Sequence, residues 1–415
     1  MSFSTFKFST FIERAILESG FKQPTKVQNS VIPLVLEGQD IMAQAQTGSG
    51  KSASFILPII ELLSRNPQEG KPKVRVLVLT PTRELTLQVA QTFNDMGKFL
   101  EKTPKVVSVV GGESIGDQLY QIQQGCDIIV ATSGRLLDVL SKKQLYLNRL
   151  EFFVLDEADK MLNLGFMDEL DLILKTLPKK RQNLLFSATY SEKILNIISR
   201  ITDKAKRVTI DAENPTVENI KQRVIEVNPE NRGPLLRHLL KNHPWQSVIV
   251  FMAEKRATDN IAEKFRKQGF KADSFHGDLS QEDRNYTIDA FKAKKFRILF
   301  TTDIASRGLD IDDLSCVINF DLPRSPSDYI HRIGRTARAG KSGTAISFIG
   351  HEEQDHFKLI EKRSQIKLER EQIEGFELKG EAPIKEKGKP PVKGKKKSKK
   401  DKLREKALKD AKKID

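Results

Sequence analysis

The sequence predicts an α/β protein: two doubly wound parallel-sheet domains in tandem, followed by a disordered basic C-terminal tail. Three observations predict it. Short runs rich in β-branched residues alternate with longer stretches of helical spacing. The short runs are continuously apolar, as strands covered on both faces by helices must be. The pattern runs through once, breaks at a polar stretch near residue 210, and runs through again. Strand, helix, strand in that order winds a parallel sheet in each half.

In the first half the expected strands are residues 40–43, 74–80, 106–110, 127–131, 152–155 and 183–187. Residues 53–63, 83–99 and 165–176 between them have helical spacing. In the second half 247–252, 272–275, 297–302, 316–320 and 344–348 read as strands. The stretch RVTIDAENPTVEN is polar and lacks a helical period, so the interdomain linker falls there. The resulting plan is an N-terminal region (1–30), a first domain (31–207), a linker (208–219), a second domain (220–378) and a tail (379–415). Lys, Pro and Gly dominate the tail, and no aromatic follows Phe376. Such a segment buries too little apolar surface to offset its ordering entropy.

Charge and composition narrow the function. The chain holds 70 Lys+Arg against 55 Asp+Glu, a net +15. The tail alone carries 16 Lys+Arg and 6 Asp+Glu, so most of the excess sits there. A cationic excess of this kind suits a polyanionic partner. The tail reads either as an arm for that partner or as a solubilising segment. The two cysteines, Cys126 and Cys316, form no CxxC, which excludes a disulfide scaffold and a cysteine zinc site. No histidine pair has ligand spacing. The longest apolar run, 55–60, is far short of a membrane span. The N-terminus has no basic segment leading into an apolar one, so no secretion signal is expected. A cytoplasmic protein without a membrane partner is the expectation.

Two motifs carry chemistry. Ala45, Gln46, Thr47, Gly48, Ser49, Gly50, Lys51 and Ser52 follow a strand and open a helix. Apart from Ala45, which stands for the first Gly, they fit the phosphate-loop pattern. Backbone N–H groups and the helix start would cradle phosphates, Lys51 would reach the β/γ-phosphates, and Ser52 would ligate Mg²⁺. Downstream, the strand 152–155 runs into Asp156-Glu157-Ala158-Asp159. Carboxylates at the end of a buried strand are where an α/β nucleotide site needs them. Asp156 would hold Mg²⁺ and Glu157 would polarise an attacking water. Acids at a helix start are also favoured by the helix dipole. With a phosphate loop upstream, the nucleotide reading is preferred.

With Asp156–Asp159 spelling DEAD and further motifs in order, the chain resembles the DEAD-box ATP-dependent RNA helicases. The match runs from about residue 3 to residue 350, and within the family the compact core and short Lys-rich tail resemble the bacterial RhlE-like group. The resemblance implies two RecA-like domains, ATP and Mg²⁺ as cofactors, and RNA as partner. It implies a Q motif in Phe21, Lys22, Thr25 and Gln28, with Gln28 on the adenine edge and Phe3 stacked on the ring. Phe6 and Phe8 are alternatives to Phe3. It implies arginine fingers at Arg335 and Arg338, a nucleotide contact at Asp310, and coupling of ATP to domain closure through Asp159, Ser187, Ala188, Thr189 and His331. Ala337 stands where a Gly is common.

RNA contacts carried over in the same way are Pro81, Thr82, Arg83, Gly111, Gly112, Thr132, Gly134 and Arg135 in the first domain. In the second they are His276, Gly277, Asp278, Arg284, Thr302 and Arg307, with Phe251 nearby. Hydroxyls, arginines and backbone N–H groups read phosphate and the 2′-OH rather than base sequence. The implied activity is RNA-dependent ATP hydrolysis that opens short duplexes locally. A ribonucleoprotein clamp and an RNA chaperone remain open alternatives. By family analogy the work would lie in ribosome assembly or RNA decay, by a monomer, with proteins of those processes as partners.

Overall fold

The computed structural model describes residues 2–45, 49–190, 192–202, 204–210, 220–306, 311, 314–337 and 342–381. The apolar runs form the centres of two parallel sheets. The first contains β1 (Ile41–Gln44), β2 (Val76–Thr80), β3 (Val106–Val109), β4 (Ile128–Thr132), β5 (Phe152–Leu155), β6 (Gln182–Ser187) and β7 (Lys206–Thr209). Their spatial order is β3-β4-β2-β5-β6-β1-β7. The second contains β8 (Ile220–Glu226), β9 (Val248–Met252), β10 (Ala272–Phe275), β11 (Ile298–Thr302), β12 (Cys316–Asn319), β13 (Gly343–Ile349) and β14 (Arg370–Glu371). Their order is β10-β11-β9-β12-β13-β8-β14, the first order shifted by seven.

Successive side chains on a strand point to opposite faces, so each sheet feeds two cores. Val76 and Val78 of β2 pack with α1 (Thr10–Glu18), α2 (Lys26–Leu36), α3 (Lys51–Arg65) and α4 (Arg83–Gly97). Leu77 and Leu79 pack on the other face, with α5 (Ile115–Gln123), α6 (Ser133–Ser141), α7 (Ala158–Asn163), α8 (Met167–Leu174) and α9 (Glu192–Ile201). The second sheet divides likewise, with Val248 and Val250 in one core and Ile249 and Phe251 in another.

Three strands differ from expectation. β7 has one buried residue, Val208, and its exposed neighbours hide it from a search for apolar runs. It takes the first two residues of the expected linker, because Val208 pairs beside Ala43 of β1. In β8, Lys221, Gln222 and Arg223 interrupt the apolar run. β14 is two residues on the outer edge of β8. The rest of the linker, 211–219, and most of the tail, 382–415, lie outside the described residues.

Both sheets turn the carboxyl ends of their strands to the loops that carry the motifs. One pair of positions shows how the halves differ. In the first half Lys51 opens the helix after β1, and Asp156 follows β5. In the second half Arg232 opens the helix after β8, and Asp321 follows β12. Arg232 is buried, bonded to Asp321 at 3.0 Å and to Glu353 at 2.5 Å.

Candidate active site between the two sheets

The site starts at the end of β1. Ala45 N–H donates to the Ser187 carbonyl (3.1 Å), which ties the phosphate loop to the end of β6. Gly50 caps α3 at φ +88°, a conformation that costs an L-residue ~1–2 kcal/mol. A Cβ there would lie 2.6 Å from Gln28 Nε2. Gln28 holds this junction from the other side. Its oxygen accepts from Thr25 N–H (2.9 Å) in a capping box that starts α2, and its Nε2 donates to Gly50 O (3.1 Å). Each end of the amide therefore makes one bond within the fold and keeps a second bonding position. Phe3 is buried, with its ring stacked on Phe21 at 6.4 Å and edge-on to Phe6 at 6.2 Å. Lys22 is exposed beside Phe21. Gln46, Thr47 and Gly48 lie outside the described residues, as do Arg307, Asp310 and Arg338.

Lys51, at the first turn of α3, is buried with Nζ 3.8 Å from Asp156 Oδ1. That oxygen is buried and makes no hydrogen bond. Burial pushes the Asp156 carboxyl up to about 6, against the pull of Lys51. Such a carboxylate is suited to a hard cation. Among the described residues no cluster of three or more His, Cys, Asp or Glu could hold a metal alone. One carboxylate, with the Ser52 hydroxyl next in sequence to the Lys51 that faces it, fits Mg²⁺, which takes few protein ligands and completes its shell with phosphate and water.

Glu157 caps α7 with φ 55° and ψ 48°, an uncommon conformation for a non-glycine residue and one that concentrates at functional sites. Its Oε1 accepts from Lys160 Nζ at 2.7 Å, in a pair buried on both sides. Burial alone would raise its pKa, but Lys160 and Lys51 outweigh it and hold Glu157 ionised, at about 2. Asp159 Oδ1 accepts from Ala188 N–H at 3.4 Å. Gln44 Nε2 donates to Ala188 O at 3.2 Å, and Ser187 Oγ donates to Thr189 O at 2.8 Å. The end of β6 thus touches both the DEAD segment and the phosphate-loop strand.

The second sheet supplies the far wall. Helix Pro326–Ile333 and the turn after it bring His331 and Arg335 to Lys160, with Phe251, Asp303, Asp328 and Arg332 around a cavity of about 20 Å³. Burial, then Lys160, lower the His331 pKa to about 4, against the pull of Asp159, Glu157 and Asp328. Arg332 anchors this wall. It bonds Asp303 bidentately (2.5 and 2.6 Å) and Asn319 Oδ1 (3.0 Å), and it lies 4.8 Å over the Phe251 ring. The Phe251 ring is therefore core and platform. Ala337 has φ 58°, so it carries strain where a Gly would not.

The RNA candidates of the first half come together on adjacent strands β3, β4 and β2. Arg83 lies against Gly111 and Gly112, where a Cβ at Gly112 would collide with its guanidinium. Arg135 donates to Glu113 O at 3.1 Å. Thr82 caps α4 by accepting from Leu85 N–H, and Pro81 precedes it at the end of β2. Thr132 ends β4, and Gly134 has open space around it. In the second half Thr302 ends β11. The His276 ring is occupied inside the domain, with Nε2 2.8 Å from Asp259 and Nδ1 accepting from Asp278 N–H. Gly277 faces Lys255, whose ammonium bonds Asp278 at 2.5 Å. Arg284 reaches across to Glu84 of the first half (2.7 Å) and also bonds His276 O (2.9 Å). Sequence reasoning did not single out Lys160, Arg332 or the Glu84–Arg284 pair. Two of them had a signal in their place: Lys160 directly follows DEAD, and Arg332 lies between His331 and Arg335.

Comparisons with known proteins agree with this geometry. The family model for DEAD/DEAH box helicases matches residues 25–197, and that for the helicase conserved C-terminal domain matches 232–340. The DEAD-box ATP-dependent RNA helicase CshA of Bacillus subtilis is 39% identical over 89% of this chain and 74% of its own length. The ATP-dependent RNA helicase DbpA of the same organism is 40% identical over 92% and 77%. Neither name is that of the RhlE-like group. Among solved structures, S. cerevisiae Dbp5 bound to RNA and ADP BeF3 superposes with a TM-score of 0.80 at 31% identity, covering 89% of this chain and 95% of that one. Mss116p bound to ssRNA and AMP-PNP gives 0.79 at 29%, covering 90% and 78%. Two parallel sheets of one strand order, a buried Lys–Asp pair and these matches lead to one conclusion: the chain belongs to the DEAD-box family of ATP-dependent RNA helicases.

Proposed function

We propose that ATP·Mg²⁺ binds at the end of β1 and that RNA lies across the carboxyl ends of both sheets, so that both ligands favour the closed arrangement. Lys51 and the loop N–H groups hold the phosphates, while Phe3 and Gln28 face the base. Ser52 and Asp156 hold Mg²⁺, which supplies charge neutralisation on the phosphates when bound. Glu157, kept ionised by its lysines, orients and polarises the attacking water. Arg335 and Arg338 place positive charge at the γ-phosphate from the second half. Asp310 contacts the nucleotide, and Asp159, Ser187–Thr189 and His331 link its state to the wall of the second half. The RNA surface runs from Arg83, Gly111–Gly112 and Arg135 to Gly277 and Thr302, with backbone contacts that carry no base code. Two buried, unbridged cysteines support a reducing compartment such as the cytoplasm.

The observation that carries this reading is the apposition of His331 and Arg335 with Lys160 and Glu157. A DEAD box protein from Methanococcus jannaschii is 41% identical yet superposes at only 0.52. That drop supports an adjustable setting of the two halves. The test is steady-state ATP hydrolysis without nucleic acid, with single-stranded RNA and with matched DNA. RNA alone is expected to stimulate, and equal activation by DNA would overturn the RNA reading. In Glu157→Gln, turnover is expected to fall by ~10²–10⁴-fold while ATP and RNA still bind. Wild-type hydrolysis in that variant would remove Glu157 from the chemistry.

A further inference from the structure

At the opposite end of the first sheet from the ATP and RNA surfaces lies a groove that none of the motifs uses. It forms where the chain enters β2 and β4, roughly 17 Å along β2 from Pro81 at ~3.3 Å per residue. Its volume is about 410 Å³. The floor is Pro72, Val74, Ile122, Gly125, Cys126 and Leu145, all wholly or largely buried. The rim is Lys71, Lys73, Gln123, Gln144, Tyr146 and Asn148, all exposed. None of these twelve residues is acidic.

The groove is built rather than incidental. Gly125 has φ +86°, and a Cβ there would sit 2.9 Å from the Pro72 carbonyl and from Lys71 Cγ. The two walls therefore meet backbone to backbone. Gln123 Nε2 donates to Gln144 Oε1 at 3.0 Å and joins the third wall. The carboxylates nearby are turned to partners of their own. Asp127 accepts from Gln68 and from Lys105 N–H, and Glu151 holds Arg75 through both oxygens. No ion pair engages Lys71 or Lys73 among the described residues, and exposed Lys142, Lys143 and Arg149 extend the positive surface along the same loop. Tyr146 is 69% exposed between the buried Leu145 and Leu147. An exposed aromatic beside unpaired cations, with amides between them, supplies the elements of a single-strand site: the ring stacks on a base, cations follow the phosphates, and neither reads sequence.

We propose that this groove is a second binding site for single-stranded RNA, holding a flank of the same molecule that occupies the cleft, with Lys71 and Lys73 on phosphates and Tyr146 stacked on a base. The inference rests on RNA being the ligand of the cleft. It makes affinity depend on RNA length in the folded core itself, separately from the tail.

The test compares full-length protein with Lys71→Ala/Lys73→Ala and with Tyr146→Ala. Fluorescence anisotropy is read with a single-stranded RNA of about 8 nucleotides and one of about 30, over a salt series. For the long RNA, affinity should fall about tenfold in the lysine variant, and the slope of log K against log[salt] should flatten by ~1.4 for two phosphates lost. Tyr146→Ala should weaken the long RNA without changing that slope. The short RNA should bind all three proteins alike and stimulate their ATPase equally, which also shows that the variants fold. If the short RNA fails to bind wild type, the reading of the cleft fails and the groove proposal falls with it, whereas the outcomes that follow would overturn the groove alone. Equal losses for both lengths, or none for the long one, would overturn the proposal. So would unchanged RNA binding with capture of polyglutamate lost in the lysine variant, which would make the groove a site for acidic protein.

Discussion

Glu157 shows how one side chain is set for chemistry by its neighbours. Its backbone sits in the left-handed region, and its carboxylate is fixed by a buried lysine three residues on. Lys160→Met keeps the bulk and removes that bond. Because Lys160 contacts the carboxylate, kcat should fall by ~10²-fold while KM for ATP stays within about twofold. Steady-state kinetics read both, and an unchanged kcat would reduce Lys160 to a packing residue. The pairing was not legible in the sequence. A lysine after DEAD could point to solvent as easily as inward, and only the αL turn at Glu157 brings it back onto the carboxylate. The placement of Lys51 next to Asp156 was legible, because strand ends and a glycine-rich loop specify position as well as residue type. His276 and Arg284 mark the limit of motif reasoning, since their side chains serve Asp259 and Glu84 within the protein.

The junction of β1, the phosphate loop and α3 depends on one missing methyl group. Gly50→Ala would force a strained φ and push on Gln28 and Thr25 together. The expected cost is ~2 kcal/mol or more in the stability of the first half, read as a lower urea midpoint. ATP affinity should fall with it, because Gln28 and the loop move as a unit. Full stability in the variant would mean that the loop has room to shift. The central strands were visible in the sequence because burial on both faces demands continuous apolarity. β7, β8 and β14 were not, because strands at or near an edge tolerate Lys, Arg and Gln. Their pairing is decided by neighbours more than 100 residues away, such as Ala43 for Val208.

The proposed closure of the whole molecule would be governed by contacts between the halves, and two of them make predictions. The Glu84–Arg284 ion pair bridges the halves and is largely buried. A double-mutant cycle of Glu84→Gln and Arg284→Met should give a coupling of ~0.5–3 kcal/mol in ligand-driven closure, measured by energy transfer between labels on the two halves. Additive effects would show that the pair does not hold the halves together. His331 is buried facing Lys160, Asp159, Glu157 and Asp328, and burial, then Lys160, lower its pKa from the ordinary 6.5 to about 4 where the halves meet. The closed form then binds fewer protons than the open form between those values. His331 therefore supports closure fully above pH ~6.5 and loses that support as pH falls toward 4. The same energy-transfer signal should decline over that window in wild type and stay flatter in His331→Gln. The shared strand order has a consequence for counting. The second sheet keeps the geometry of a nucleotide domain, but where the first holds Lys51 and Asp156 it is sealed by Arg232 with Asp321 and Glu353. One half can be loaded with fuel and the other can only respond to it. Binding should saturate at a single nucleotide per chain, and each cycle of opening and closing is then metered by one molecule of ATP.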